Sequence, residues 1–265
     1  MALADDVAHG MRVLEMLAPE PEGLRVTQVA ETLGLNKAIA HRLLGALVTA
    51  GYAAQDPKSS TYFATHRLGA LGLRQLSSSG VSSWAQRTLD ALAAESEELV
   101  RLAVTSADSL QWIAKAQGSN SSLRLDPVMG QDAVPYATAS GKAWLSTLAE
   151  DRVREILDKQ GLVPQTSRTL LDPARVLDEL YEVRHRGYAT TLEEMDLGIH
   201  AVAAPVFGAG AHEVATGTIS IAGPSVRMTR ARMADLSRPL LDAAADIALS
   251  WPSYAYLASE EGLSA

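Results

Sequence analysis

Apolar residues at Val7, Met11, Leu14 and Leu17 recur at helical spacing, and Pro19 and Pro21 stop the helix they predict. Thr27 stands where an N-cap belongs, ahead of a short helix Gln28–Leu33 that Gly34 can terminate. Asn36 is the next N-cap candidate and opens a helix from Lys37 to about Ala50. On that helix Ile39, Leu43, Leu44 and Leu47 share one face, while Ala38, His41, Arg42, Gly45 and Thr49 lie opposite. Gly51 ends it. Two strand-like runs follow, YAAQ and TYFAT, joined by DPKSS, whose Asp-Pro opening favours a type I turn.

Beyond this ribbon, Arg67–Leu76 reads as a linking helix, and SSSG at Ser77–Gly80 as the domain boundary. A helix over Ser82–Glu95 comes next. Strand-like runs at Leu99–Thr105, Leu110–Ala116 and Ser122–Leu125 then give way to helices at Ser140–Leu148, Ala149–Gln160 and Pro173–Arg186. Val202–Val206 and Thr216–Ala222 read as further strands before a last helix from about Thr229 to Ser250. Strands beside strands and helices in blocks predict an α+β domain with a mainly antiparallel sheet. The expected organisation is a first domain over 1–66, a helical linker over 67–80, a second domain over 81–252 and a fraying tail over 253–265.

Two helices joined by a short Gly-containing turn, followed by a β-ribbon, predict a winged helix-turn-helix. Its groove-facing side is small or polar, so the backbone can approach double-stranded DNA closely. Arg42 could donate a bidentate pair to guanine, and His41 could donate to a base or phosphate. Lys37 near the helix start and Lys58 at the ribbon tip suit phosphates, and the helix N-termini at Thr27 and Asn36 add backbone amides. The same pattern also serves protein contact in winged helices that touch no nucleic acid.

Charge bears on that choice. The chain carries 31 acidic and 23 basic residues, a formal −8, which argues against a DNA reader. Yet Met1–Ser77 holds seven of each and is neutral, and Gly34–Arg74 has five basic residues against one acid. Charges beyond a Debye length of about 8–10 Å are largely screened, so the local field decides phosphate contact. The absence of cysteine excludes a disulfide scaffold, a thiol nucleophile and a Cys-ligated metal, and leans towards the cytoplasm. MALADDVAHGMRV lacks the pattern of a signal peptide, and the longest uncharged stretch, Leu197–His212, is broken by Gly198, Pro205, Gly208 and Gly210, so no membrane span is expected.

No catalytic constellation is evident. Gly141–Ala143 lacks the flanking residues of a phosphate loop, and no general base is placed for Ser140. His9, His41, His66, His185, His200 and His212 form no i,i+4 pair with a third ligand, so neither a metal nor a cofactor is expected. Glu193 and Glu194 read as a solvated pair at a strand-to-loop junction, and His200 as a surface or dimer-interface residue.

GLRVTQVAETLGLNKAIAHRLLGALVTAGYAAQD resembles the N-terminal domain of the IclR family of bacterial transcription regulators: LGL, a Lys, His-Arg-Leu-Leu and Leu…Gly-Tyr are all present. Ala38 stands where that family commonly has Ser or Thr. YATASGKAWL resembles its H-A-x-x-x-G-K-A-x-L segment, with Tyr136 in place of His. RGYATTLEEMDLGIHAVAAPV, ISIAGP and MTRARM…LLDAAADIA continue the likeness, which covers about Val7 to Ser250. The resemblance implies a GAF-like second domain that binds a small effector against its sheet. It puts Ala139 and Ser140 on a loop whose amides face the ligand, Thr191, Ala201, Ser220 and Ala222 in the walls, and Leu125 and Met129 in a covering loop. Relatives sensing small oxo-acids hold a carboxylate, a cysteine and two serines at the matching wall positions. Three of those four polar groups are replaced here by Thr191, Ala201 and Ala222. Stranding a polar ligand's hydrogen bonds costs about 1–3 kcal/mol each, so the pocket suits an apolar or aromatic ligand with one polar end, such as an organic acid or amide. The resemblance also implies homodimers that pair into tetramers. Recognition helices about 34 Å apart would then read a near-palindromic operator, most simply as a repressor of a catabolic operon. The alternative is a metabolite-binding protein whose winged helix serves dimerisation.

Overall fold

The computed structural model describes residues 3–79, 81–127, 129–208, 213–249 and 251, and divides the chain into two compact units, Met1–Ser78 and Ser79–Ala265. The expected tail at 253–265 lies outside the described residues.

The first unit contains α1 (Leu3–Leu17), α2 (Val26–Leu33), α3 (Lys37–Thr49), β1 (Ala53–Gln55), β2 (Tyr62–Ala64) and α4 (His66–Ser79). Helix α1 begins earlier than its apolar spacing suggests and buries Val13, Leu14 and Leu17; Val7 and Met11 stay exposed, at 61% and 53%. The apolar stripe is therefore rotated from the expected one. Helix α2 does not open behind Thr27. Arg25 is its N-cap, with its N–H donating to the Gln28 side-chain oxygen at 2.8 Å, and Thr27 falls in the first turn. The cause is non-local: Leu24 and Tyr62 exchange backbone hydrogen bonds of 2.9 and 2.8 Å, which hold the chain extended up to Arg25. Gly34 ends α2 at φ +63°, where a Cβ would be strained, and Asn36 caps α3 by accepting from the Ile39 N–H at 2.9 Å. Val13, Leu17, Val29, Ala40, Leu44 and Tyr62 form the core of this unit.

The second unit contains α5 (Val81–Ser96), β3 (Leu99–Ser106), β4 (Ser109–Gln117), α6 (Ala139–Leu145), α7 (Glu150–Gln160), α8 (Pro173–Arg186), β5 (Ala189–Leu192), β6 (Ile199–Val206), β7 (Gly217–Pro224) and α9 (Arg230–Leu249). Its five strands pair antiparallel in the order β4-β3-β7-β6-β5. Ser122–Leu125 is not a strand. Ser119 and Ser121 side chains accept from the Ser121 and Leu123 N–H groups, and these local bonds compete with a ladder. Strand β5, in turn, is absent from the expected set.

The period of two sorts the sheet into two faces. Val100, Leu102, Val202, Ile219 and Ile221 pack with Leu89 of α5 and Leu236 and Leu240 of α9. On the opposite face Ala189 and Ala203 pack with Ala139 and Ala143 of α6 and Val183 of α8. Gly141 is required by this second layer: a Cβ there would lie 2.4 Å from the Pro135 backbone. Its place in the GKA sequence thus reflects close packing, with no bearing on phosphate.

Candidate functional site

In the first unit, Lys37, Ala38, His41 and Arg42 are exposed along α3, as are Thr27 on α2 and Lys58 in the ribbon turn. Asn36 is exposed too, but its side-chain oxygen is occupied by the cap. The turn is pre-set by Asp56, whose carboxylate accepts from the Lys58 and Ser59 N–H groups and from the Ser59 hydroxyl. Chiefly because of that hydroxyl, the Asp56 carboxyl is held below its ordinary pKa. Arg42 is exposed but not free: its Nη2 lies 3.0 and 3.2 Å from the carboxylate oxygens of Asp6 on α1.

The second unit holds a cavity of about 310 Å³ between the sheet, the start of α6 and the segment after β5. Leu125, Ala139, Ser140, Thr191, Ala201, Ser220 and Ala222 all line it. Met129 does not; it packs on the apolar cluster of Trp112, Tyr136 and Trp144. The Gly130 N–H donates to the Trp112 carbonyl at 2.9 Å, which ties this segment along β4 and turns Met129 into the core. Ala139 and Ser140 are the first two residues of α6. The Gly141 and Lys142 amides are taken by the Thr138 hydroxyl and carbonyl, so the two amides ahead of them have no helical acceptor. Tyr136 is buried, and its hydroxyl both donates to the Val163 carbonyl and accepts from the Val163 N–H.

Arg101, Trp112 and Asp196 also line the cavity. The Arg101 guanidinium lies 3.8 Å from the centre of the Trp112 ring. Among the described residues, three buried polar atoms of the cavity lining have no hydrogen-bond partner: Arg101 Nε, Trp112 Nε1 and Ser220 Oγ. Burial pushes Arg101 down to about 10, with Asp196 opposing the shift, so it remains a cation at neutral pH.

Beside the cavity, Lys142 is fully buried, and its Nζ is 2.6 Å from Glu194 Oε2 and 2.7 Å from Glu179 Oε2. Glu194 is thus buried and ion-paired, which corrects the expectation of a solvated pair. Burial pushes its carboxyl above the ordinary range, and Lys142 opposes that shift. Glu193 also has partners, Arg168 at 2.9 Å and the Gly198 N–H at 2.8 Å. His200 is half-buried, its Nδ1 2.7 Å from the Met228 carbonyl. Among the described residues no group of three His, Asp or Glu could hold a metal ion, and no helix is long and apolar enough to cross a membrane; His212 lies outside them.

Comparison with known proteins places both sites in context. The model of the IclR helix-turn-helix domain matches residues 7–57, and that of the bacterial transcriptional regulator IclR C-terminal domain matches residues 73–249. The chain belongs to the IclR family. It is therefore a DNA-binding transcriptional regulator and not an enzyme. It is 29% identical to the acetate operon repressor of Salmonella typhimurium over 92% of this chain and 89% of that one. It is 31% identical to the p-hydroxybenzoate hydroxylase transcriptional activator of Acinetobacter baylyi over 77% of this chain and 76% of the other. The crystal structure of an IclR transcriptional regulator from Alicyclobacillus acidocaldarius superposes with a TM-score of 0.81 at 27% identity, covering 94% of this chain and 98% of that one.

Within this IclR regulator, sequence reasoning missed Arg101, Trp112, Lys142 and Asp6. A signal existed for Arg101: it interrupts the apolar run LVRLAV, at the strand position that alternation turns to the same face as Leu99. For Lys142 the neighbours Ala139, Gly141 and Ala143 pointed to a tightly packed helix with no room for a solvated side chain.

Proposed function

We propose that this IclR regulator is a cytoplasmic repressor of a catabolic operon, released or retuned by an organic effector bound in the second unit. The observation that carries the effector reading is the cavity of about 310 Å³, whose walls are apolar at Leu99, Leu125, Ala201 and Ala222 yet hold unpartnered buried polar atoms. That volume is at the lower end of small-molecule sites, which matches a ligand of about one ring. A very small oxo-acid would leave most of the apolar wall at Leu99, Leu125, Ala201 and Ala222 uncovered. An aromatic body with one polar end would not.

For the DNA side, α3 enters the major groove, with Lys37, Ala38, His41 and Arg42 on its exposed face. Lys58 and the amides near Thr27 and Asn36 take phosphates. Homodimers, pairing further into tetramers, present two such helices to a near-palindromic operator. Relatives include an acetate operon repressor and a p-hydroxybenzoate hydroxylase activator, so regulators of both signs surround the chain. The test is twofold. A gel shift on the DNA upstream of its own gene should show a specific complex. Calorimetry should show binding of aromatic acids; tight glyoxylate or pyruvate binding with no response to aromatic acids would overturn the effector reading.

A further inference from the structure

We infer that Arg101 is the anion anchor of the cavity, and that the effector is an aromatic monocarboxylate whose carboxylate is shared between Arg101 and Ser220. This rests on the cavity being the effector site.

The strand register places the two anchors together. Arg101 of β3 pairs with Ser220 of β7, so both side chains rise from the same face of the sheet. Ala203 pairs with Ser220 on the far side, and adds no polar group. Among the described residues the Arg101 Nε has no hydrogen-bond partner; the ring of Trp112 lies beneath the guanidinium, and Asp196 acts on it through space without a hydrogen bond. Stacking on the indole fixes the plane of the guanidinium and leaves its edge for an acceptor. Ser220 is 1% exposed and its hydroxyl is equally without a partner. The guanidinium of half-buried Arg101, with its buried and unpartnered Nε, and the buried, unpartnered Ser220 hydroxyl on the paired residue match the two oxygens of a carboxylate.

The rest of the lining limits the ligand's charge. Arg101 is the one basic side chain among the described residues of the cavity wall, whereas Asp126 and Asp196 are both acidic. Asp126 is already paired with Lys115 at 2.9 Å. A dicarboxylate or a phosphate dianion would meet Asp196 with no second free cation to offset it. A single negative charge adds least to the charge that Asp196 already sets against Arg101, and the ligand body then rests on Leu99, Ala201 and Ala222.

The experiment is calorimetry on the full chain with benzoate, 4-hydroxybenzoate and phenylacetate, each against its amide. The proteins are wild type, Arg101→Gln, Arg101→Lys and Ser220→Ala, with melting profiles confirming that each variant folds. In the wild type the best acid should bind at least about tenfold more tightly than its amide. Arg101→Gln should lose about 10- to 100-fold for the acid and nothing for the amide. Arg101→Lys should recover part of that loss, and Ser220→Ala should lose about two- to tenfold. Equal binding of acid and amide, or acid binding unchanged in Arg101→Gln, overturns the anchor while leaving the aromatic reading intact. Glyoxylate or pyruvate binding that needs Arg101, with no aromatic acid bound, keeps the anchor and removes the aromatic body. If no carboxylate binds the wild type, both readings fail.

Discussion

Replacing Lys142 with methionine tests how the layer beside the cavity is held. The substitution keeps the length and volume of the side chain but removes the one cation between Glu179 and Glu194. Glu179 keeps a side-chain exposure of 25% and can rehydrate; Glu194, at 11%, cannot. Removing one partner of a buried pair costs about 3–5 kcal/mol, because the other charge is left uncompensated. For a unit of this size each kcal/mol lowers the melting temperature by about 2–4 °C, so the drop should be roughly 6–20 °C. Trp84, Trp112, Trp144 and Trp251 all lie beyond Ser78, so tryptophan fluorescence reports the second unit selectively. Acidity supplies a second signature. Glu194 already has a raised folded-state pKa, and losing Lys142 raises it further. A group of this kind contributes stability that is fully present below its unfolded pKa and is lost as pH rises through the folded value. The Lys142→Met deficit should therefore be larger at pH 8 than at pH 5. Adding Glu194→Gln should recover much of it by removing the stranded charge. A deficit under about 1 kcal/mol, one equal at both pH values, or a double variant no more stable than the single would mean that Lys142 does not hold a buried Glu194 charge.

Gly141→Ala places a methyl group 2.4 Å from the Pro135 backbone and should destabilise the second unit by about 1–3 kcal/mol, read from the same melting profiles. Arg42→Ala should cost about 1–3 kcal/mol of operator affinity and relax base preference, measured by fluorescence anisotropy on matched and altered sites. Asp6→Ala breaks an exposed pair worth about 0–1 kcal/mol, so the melting profile should barely move while DNA affinity rises as Arg42 is released. Lys58→Ala should weaken all sequences alike and reduce the salt slope of log affinity by about 1.

What was legible in the sequence follows the range of the interactions concerned. Asn36 was readable as a cap because its oxygen bonds an amide three residues on, and α8 was bounded by its own Asp172 cap and Gly187. The start of α2 was not, because it is set by the bridge from Leu24 to Tyr62, a partner on the far side of two helices. The family motifs named Leu125, Ala139, Ser140, Thr191, Ala201, Ser220 and Ala222, which line the cavity, but not Arg101, its basic member. Trp112 reaches Arg101 because the β3–β4 register shifts between Leu102 and Ala103, so that Trp112 pairs with Ala103. Alternation read from the strand alone would put Trp112 on the same face as Ala114, in the other core. Glu194 was misjudged for a related reason: what makes it a buried ion is Lys142, on a helix whose burial depends on Gly141 meeting Pro135.

Occupancy of the second unit's cavity should alter DNA reading by the first. Fluorescence anisotropy of the full chain on its own upstream DNA, with and without the tightest-binding aromatic acid, measures this directly. Allosteric coupling of ordinary size predicts a change in DNA affinity of about 5- to 150-fold in the wild type. In Arg101→Gln, DNA should bind as tightly as in the ligand-free wild type and ignore the acid. An affinity that the acid leaves unchanged in the wild type would mean that the cavity does not control DNA reading, and one changed equally in Arg101→Gln would mean that the acid does not act through Arg101.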